Sequence, residues 1–198
     1  MTNGTAIITK TKAKELAAQY ADYAEETSNL QKDFLKFTKQ GQFVHGTEEI
    51  SVDDVEEFAV NMSTLARGFI CWKSNEVVDE QMSLVSAKGK IDKKDLIDHG
   101  PYEGDMDGWN DQAQVDMRSL ESGMEMLFKT SSRGGLNAIS AISKEFANQL
   151  KLGPNEMPCP VVTLEPGFYK HKEFGKIFFP KFIIKRWVPL SELELKAA

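Results

Sequence analysis

Residues 170–187 constrain the fold most strongly, because they combine a long strand pattern with a concentration of positive charge. Alternate side chains of a strand share a face, and the even-numbered residues from 178 to 184 are all apolar. This face predicts burial in a core. The odd-numbered residues from 177 to 185 mix Ile and Phe with Lys181 and Lys185, and they form the candidate binding face. Two interpretations stay open: a core strand with solvated lysines at its margins, or a core strand that also binds a ligand.

The charge of this segment is opposite to that of the whole chain. It holds six Lys and Arg residues and one acid, Glu173, so it carries +5, whereas the chain carries −6 and residues 1–169 carry −10. Phosphates attract Lys and Arg, and unstacked bases lie on aromatic side chains. The segment therefore indicates a local site for single-stranded nucleic acid. A pI near 5.2 argues against a protein that coats nucleic acid with its whole surface.

The length of 198 residues is enough for one domain, with or without an extra arm. No apolar run approaches the length of a membrane span, and the first residues lack the apolar core of a signal peptide. Cys71 and Cys159 form no CxxC motif, which favours a reducing compartment and two small core residues. The sequence therefore predicts a cytoplasmic protein with no membrane partner.

The order of elements predicts a mainly β chain with some helix, an α+β fold. An N-terminal helical arm is expected at 1–30, where it is a candidate homo-oligomer contact. A single domain follows at 31–190 with a long loop at 86–111, and residues 191–198 form a short coda. Within the domain, two short strands flank a turn at 39–42.

The main strands of the domain are predicted at 57–73, 113–120, 124–130, 160–165 and 176–188, with Pro166-Gly167 as a turn before the last strand. One helix separates the third and fourth of these strands. It begins after Ser131-Ser132 and ends at Gly153-Pro154. Its apolar stripe consists of Leu136, Ile139, Ile142, Phe146 and Leu150.

Five strands with one helix between the third and the fourth follow the order of the OB-fold, a barrel that binds oligonucleotides. In this order, and in the segments 68–73, 98–102 and 128–132, the chain resembles phage-type single-stranded DNA-binding proteins of the OB-fold class. The resemblance covers residues 57–188. It implies an OB-like five-stranded barrel and a location in the host cytoplasm. Many such proteins recruit partners through an acidic tail, whereas residues 191–198 are only mildly acidic.

The predicted binding residues are aromatic side chains for base stacking and basic side chains for phosphates. The stacking candidates are Phe69, Trp72, Trp109, Tyr169, Phe179 and Trp187. The phosphate candidates are Lys73, Arg118, Lys129, Arg133, Lys170, Lys172, Lys176, Lys181, Lys185 and Arg186. The alternative is that many of the aromatic residues fill the core, because a small barrel needs large apolar side chains.

Two further segments carry chemical signals. Residues 131–135, Ser-Ser-Arg-Gly-Gly, suit either a phosphate at a helix N-terminus or simple capping of that helix by serine, which is favoured. Glu103, Asp105 and Asp107 imitate the first half of a calcium loop, but Gln114 stands where a bidentate Glu is needed. An exposed acidic loop is therefore favoured, and no metal or cofactor is predicted.

The sequence predicts a non-enzymatic protein that binds single-stranded DNA without sequence specificity, and that protects or presents it during replication or recombination. RNA in place of DNA stays open. Metal-dependent activity at the 98–107 loop is a distant alternative. The acidic run at 48–57 and the negative charge of residues 1–169 favour another alternative, an acidic interaction or inhibitor protein that binds a protein partner.

Overall fold

The computed structural model describes residues 12, 17, 32–53, 55–104 and 107–193. The chain divides into two units, residues 1–32 and residues 33–198. The predicted helical arm at 1–30 lies outside the described residues, apart from Lys12 and Ala17. The second unit carries the sheet and the candidate site.

The described part of the second unit is mainly β, with one α-helix, α1, at Arg133–Lys151. Short 3-10 turns lie at Lys93–Asp95 and Leu190–Leu193. The nine strands are β1 Asp33–Phe37, β2 Phe43–His45, β3 Ile50–Ser51, β4 Glu57–Lys73, β5 Glu76–Leu84, β6 Gly108–Ser119, β7 Glu125–Thr130, β8 Pro158–His171 and β9 Gly175–Pro189.

These strands form one mixed sheet in the order β3-β2-β1-β7-β6-β4-β8-β9, with β5 paired to β4. The β1–β7 pair is parallel and the other pairs are antiparallel. The predicted OB-like five-stranded barrel is therefore wrong. The five predicted strands belong to a larger sheet, because the β1–β2 hairpin extends it beyond β7 and β5 adds to β4. Within the described residues, the end strands β3 and β9 do not pair, and the curled sheet stays open.

Strand β4 organises the sheet because it pairs with three other strands. Its first residues pair with β8 and its last residues pair with β5, while β6 runs along the other edge. The register shifts between Asn61 and Ala66. Here the Thr64 hydroxyl donates to the Asn61 carbonyl at 2.9 Å and accepts the Asp116 N–H at 3.0 Å. Bulges bend a strand and increase its twist, and this irregularity lies between the residues of β4 that pair with β8 and those that pair with β5.

The helix α1 packs on the sheet through the predicted stripe. Ile139 and Ile142 are buried in the main core with Phe58 and Phe128, and Leu136 and Phe146 pack against that core. Leu150 is exposed, so the last turn of the helix leaves the core. The Ser132 hydroxyl accepts the Gly135 N–H at 3.1 Å, which confirms the predicted capping of this helix.

Strand β8 is longer than predicted. Pro166 and Gly167 lie inside it, opposite Pro180 and Phe179 of β9, so the predicted turn at this point is wrong. A Cβ on Gly167 would lie 2.5 Å from the Phe179 ring, so the glycine makes room for that ring. In the described residues, β8 beyond Thr163 pairs with β9 alone. Residues 165–181 thus form a two-stranded segment with its tip at 172–174, called the ribbon below.

Candidate nucleic-acid interface

The ribbon exposes aromatic side chains that would normally be buried. Phe168, Tyr169 and Phe174 are 56%, 49% and 73% exposed. Lys170, Lys172 and Lys176 are exposed beside them. Four lysines and two glutamates fall within 165–181, so the ribbon is positive in a chain that is negative overall. Exposed aromatic faces next to mobile positive charges are the groups that bind bases and phosphates of a single strand.

Two of the four lysines of the ribbon, Lys176 and Lys181, lie over aromatic rings. Lys176 Nζ is 4.1 Å from the centroid of the Phe168 ring and 4.4 Å from that of Phe178. Lys181 Nζ is 5.6 Å from the centroid of Phe179. The faces of these rings attract cations. The rings therefore hold the ammonium groups close to the surface on which a base would stack.

The tip of the ribbon is ordered by His171. Its Nδ1 accepts the N–H groups of Glu173 at 3.2 Å and of Phe174 at 3.3 Å. Its ring stacks on Phe174 with 4.8 Å between centroids. The most exposed aromatic ring of the ribbon is therefore fixed in orientation by its neighbour.

A cleft of about 740 Å³ lies between α1 and the middle of β9. Four of the predicted binding residues line it: Arg133 on the helix, Tyr169 on β8, and Phe179 and Lys181 on β9. Lys39, in the turn after β1, lines it as well. The cleft adjoins the ribbon through Tyr169 and Phe179, whose ring centroids are 6.3 Å apart.

The predicted binding residues separate into three groups. The first group lies on the ribbon or lines the cleft and consists of Arg133, Tyr169, Lys170, Lys172, Lys176, Phe179 and Lys181. The second lies at the far end of β4 and the adjacent start of β6 and consists of Phe69, Trp72, Lys73 and Trp109. The third is spread over β6, β7 and β9 and consists of Arg118, Lys129, Lys185, Arg186 and Trp187.

Members of the second group hold the loop before β6. Lys73 Nζ donates to the His99 carbonyl at 2.8 Å, and Trp109 Nε1 donates to the Ile97 carbonyl at 2.8 Å. The loop is also anchored by His99 Nε2, which lies 2.9 Å from Asp79 Oδ2. The segments 68–73 and 98–102 therefore contact each other, and these contacts give both segments a structural role. The loop predicted at 86–111 ends earlier than predicted, because β6 begins at Gly108.

Asp107 stabilises the same loop through the hydrogen bonds that its carboxylate accepts. The N–H groups of Gly104 and Glu103, and that of Ser74, donate to its carboxylate and lower the pKa of Asp107. A lowered folded-state pKa stabilises the fold above the unfolded value and loses this effect as the pH falls through the folded value. We expect Asp107→Ala to lower the Tm at pH 7, and the deficit relative to wild type to shrink below about pH 3.9.

Thermal unfolding followed by circular dichroism between pH 2 and 7 checks this. The control is Asp111→Ala, which removes an exposed carboxylate from β6. Equal Tm values for the two variants at pH 7 would contradict the anchoring role of Asp107.

The acidic loop has no metal-ligating geometry among the described residues. Asp107 already accepts three backbone N–H groups, and Asp105 lies outside the described part of the chain. No group of three or more His, Cys, Asp or Glu side chains suited to a metal ion occurs within 32–53, 55–104 and 107–193. These contacts give Asp107 a structural role in the loop.

Most residues of the third group have partners within the protein. Arg118 donates to the Leu193 carbonyl at 2.9 Å, and Lys129 pairs with Glu80 at 2.6 Å. Arg186 pairs with Glu57. The Trp187 ring stacks on the Phe146 ring of the helix, with 6.4 Å between their centroids. Lys185 is exposed on β9 but does not line the cleft. These contacts give Arg118, Lys129, Arg186 and Trp187 structural roles.

Several acidic residues of the run at 48–57 also have partners within the protein. Glu56 accepts from the Ser119 hydroxyl, Glu57 pairs with Arg186, and Asp53 accepts the N–H of Val55 at 3.0 Å. Glu49 Oε1 lies 3.9 Å from Lys36 Nζ. Asp54 lies outside the described residues. Much of this run therefore has a structural explanation.

Sequence reasoning missed Phe168, Phe174 and Phe178 as binding candidates, together with Lys39. Phe168 was hidden by the predicted turn at Pro166-Gly167, which placed it outside any strand. A Cβ on Gly41 would lie 2.5 Å from the Phe178 ring, so that ring packs on the turn that carries Lys39. The available signal was the alternation of aromatic and basic residues on both sides of 172–174.

Comparison of the chain with protein-family models, curated proteins and solved structures found no match. The resemblance to phage-type single-stranded DNA-binding proteins therefore stays a prediction from the sequence. No helix in the described part of the chain is long and apolar enough to cross a bilayer. Both cysteines are buried and free, as predicted, and burial raises the pKa of Cys159 to about 12.

Proposed function

We propose that this protein binds single-stranded DNA without sequence specificity, in replication or recombination, and that the ribbon is its principal contact surface. The observation that carries the proposal is the set of exposed phenylalanine and tyrosine rings with lysines over and beside them. Bases stack on such rings whatever their identity, and the lysines neutralise phosphates. The ribbon pairs with the rest of the sheet only at its base, so a flexible strand has access to it.

Two lysines of the ribbon support an anionic ligand in particular. Lys170 and Lys176 are direct cross-strand partners, and like charges in this position destabilise a strand pair. A phosphate near both ammonium groups would relieve this repulsion. Their placement is therefore favourable in the complex and unfavourable in the free protein, as expected for a binding surface.

Fluorescence anisotropy of a labelled dT oligonucleotide, against a duplex of the same length and at several salt concentrations, tests the proposal. We expect tight binding of the single strand that weakens as salt rises, with duplex binding much weaker. Phe168→Ala/Phe174→Ala should weaken single-strand binding about tenfold or more, because each stacked base contributes about 1–3 kcal/mol.

A matched control is Phe34→Ala/Ile50→Ala, which removes two side chains of similar exposure, 48% and 54%, from β1 and β3. This variant should bind like wild type. No binding of the wild type to either nucleic acid at low salt would refute the proposed function. Equal losses in both variants would show that the ribbon is not the contact surface.

A further inference from the structure

The cleft between α1 and β9 has the size and walls of a ligand site. Its volume of about 740 Å³ falls within the range of about 300–1,000 Å³ that is typical of small-molecule sites. Aromatic rings of Phe37, Phe179 and Phe182 contribute to its walls, and the helix contributes Ala138 and Ala141. An apolar cavity of this size suits a flat, weakly polar group such as a nucleobase.

The charge of the cleft selects among apolar ligands. Lys39, Arg133 and Lys181 line it, and no Asp or Glu is among its lining residues. In a chain with a net charge of −6, this is a local positive field. The ligand that complements it is anionic at its edge and apolar at its centre, which describes a nucleotide within a strand.

The cleft is also continuous with the proposed binding surface, because Tyr169 and Phe179 belong to both the ribbon and the cleft wall. We infer that the cleft is a nucleobase subsite, in which a base of the strand bound along the ribbon inserts while Lys39, Arg133 and Lys181 contact the flanking phosphates. This inference rests on the proposed function. It adds that one base of the strand is held in the cleft while the rest of the strand lies on the exposed surface of the ribbon.

Filling the cleft from the helix tests the inference. Ala141 lines the cleft and Ala147 does not, and both are exposed on α1. Ala141→Trp should weaken binding of a labelled dT oligonucleotide about tenfold, since excluding one stacked base costs about 1–3 kcal/mol. Ala147→Trp carries the same side chain on the same helix and should bind like wild type. Equal Tm values would show that both variants are folded.

An abasic strand of the same length separates base insertion from phosphate contact. On this strand Ala141→Trp and wild type should bind equally, because no base is present to enter the cleft. In addition, photocrosslinking of a 5-bromodeoxyuridine oligonucleotide to wild type, with the adducts located to single residues by fragmentation, should give adducts on Tyr169 or Phe179.

The outcomes distinguish this inference from the proposed function. Wild-type binding that is unchanged in Ala141→Trp, with adducts confined to Phe168 and Phe174, would overturn the subsite and leave the ribbon as the contact surface. If Ala141→Trp instead abolished binding of an acidic, phenylalanine-containing peptide and spared DNA binding, the occupant would be a protein segment and the inference would be wrong. Absence of wild-type DNA binding would refute the proposed function and the subsite together.

Discussion

Replacing Lys170 and Lys172 by glutamate should weaken the binding of single-stranded DNA by about 60-fold at low salt. Both side chains are exposed near the tip of the ribbon. For single strands, each phosphate contact contributes about 0.7 to the slope of log affinity against log salt. At about 50 mM salt, roughly 1.3 log units below 1 M, two lost contacts amount to about this factor before any added repulsion.

Titrations from about 50 to 200 mM salt measure the effect, and the slope should fall by about 1.4 in the variant. Lys88→Glu/Lys90→Glu is the control, because these exposed lysines have the same spacing and lie in the loop after β5. It changes the net charge equally and should lose much less affinity. Equal losses in the two variants would mean that the protein responds to net charge and that the ribbon is no specific surface.

Replacing Phe128 by alanine should destabilise the fold by about 3–5 kcal/mol, the usual cost of removing a buried phenylalanine ring. Phe128 on β7 is 2% exposed and belongs to the main core. Its ring meets Phe182 of β9 edge to face, with 5.0 Å between centroids. The substitution therefore leaves a cavity between strands that lie far apart in the sheet order. Urea unfolding of wild type and variant gives the difference in free energy directly.

Phe34→Ala provides the control for this prediction. Phe34 lies on β1 next to Leu35, the register partner of Phe128, but its side chain is 48% exposed. Loss of an exposed ring away from special features costs about 0.5 kcal/mol or less. A similar loss of stability in the two variants would show that Phe128 is not part of a shared core.

The local elements were well predicted because their signals are local. The helix at Arg133–Lys151 follows from its apolar stripe and its serine cap, and the strand predicted at 57–73 has those bounds. The failure at Pro166-Gly167 is equally informative. A proline and a glycine together usually mark a turn, but here the pair lies inside β8, where the glycine accommodates the Phe179 ring. Phe179 lies on the neighbouring strand, so the residues around Pro166-Gly167 do not by themselves reveal this contact.

The candidate site was likewise predicted only in part. The sequence identified the basic and aromatic segment, and the structure places its exposed part on a ribbon. The sequence did not show which cations are already paired. Lys129 and Arg186 are neutralised by Glu80 and Glu57, residues 49 and 129 positions away. Trp109 and Lys73 are bound to the carbonyl groups of a loop. Such partners depend on which strands lie side by side.

By itself, the sequence determined the position of the helix, the presence of most of the main strands and the segregation of positive charge. Periodicity, capping and composition act over a few residues, so they can be recognised without a fold. The tertiary structure alone decided that nine strands join one open sheet, that β4 pairs with β8 at its start and with β5 at its end, and that β8 and β9 continue as a two-stranded ribbon. Strand pairing depends on the combined burial of side chains far apart in the chain, and several pairings satisfy the same local pattern.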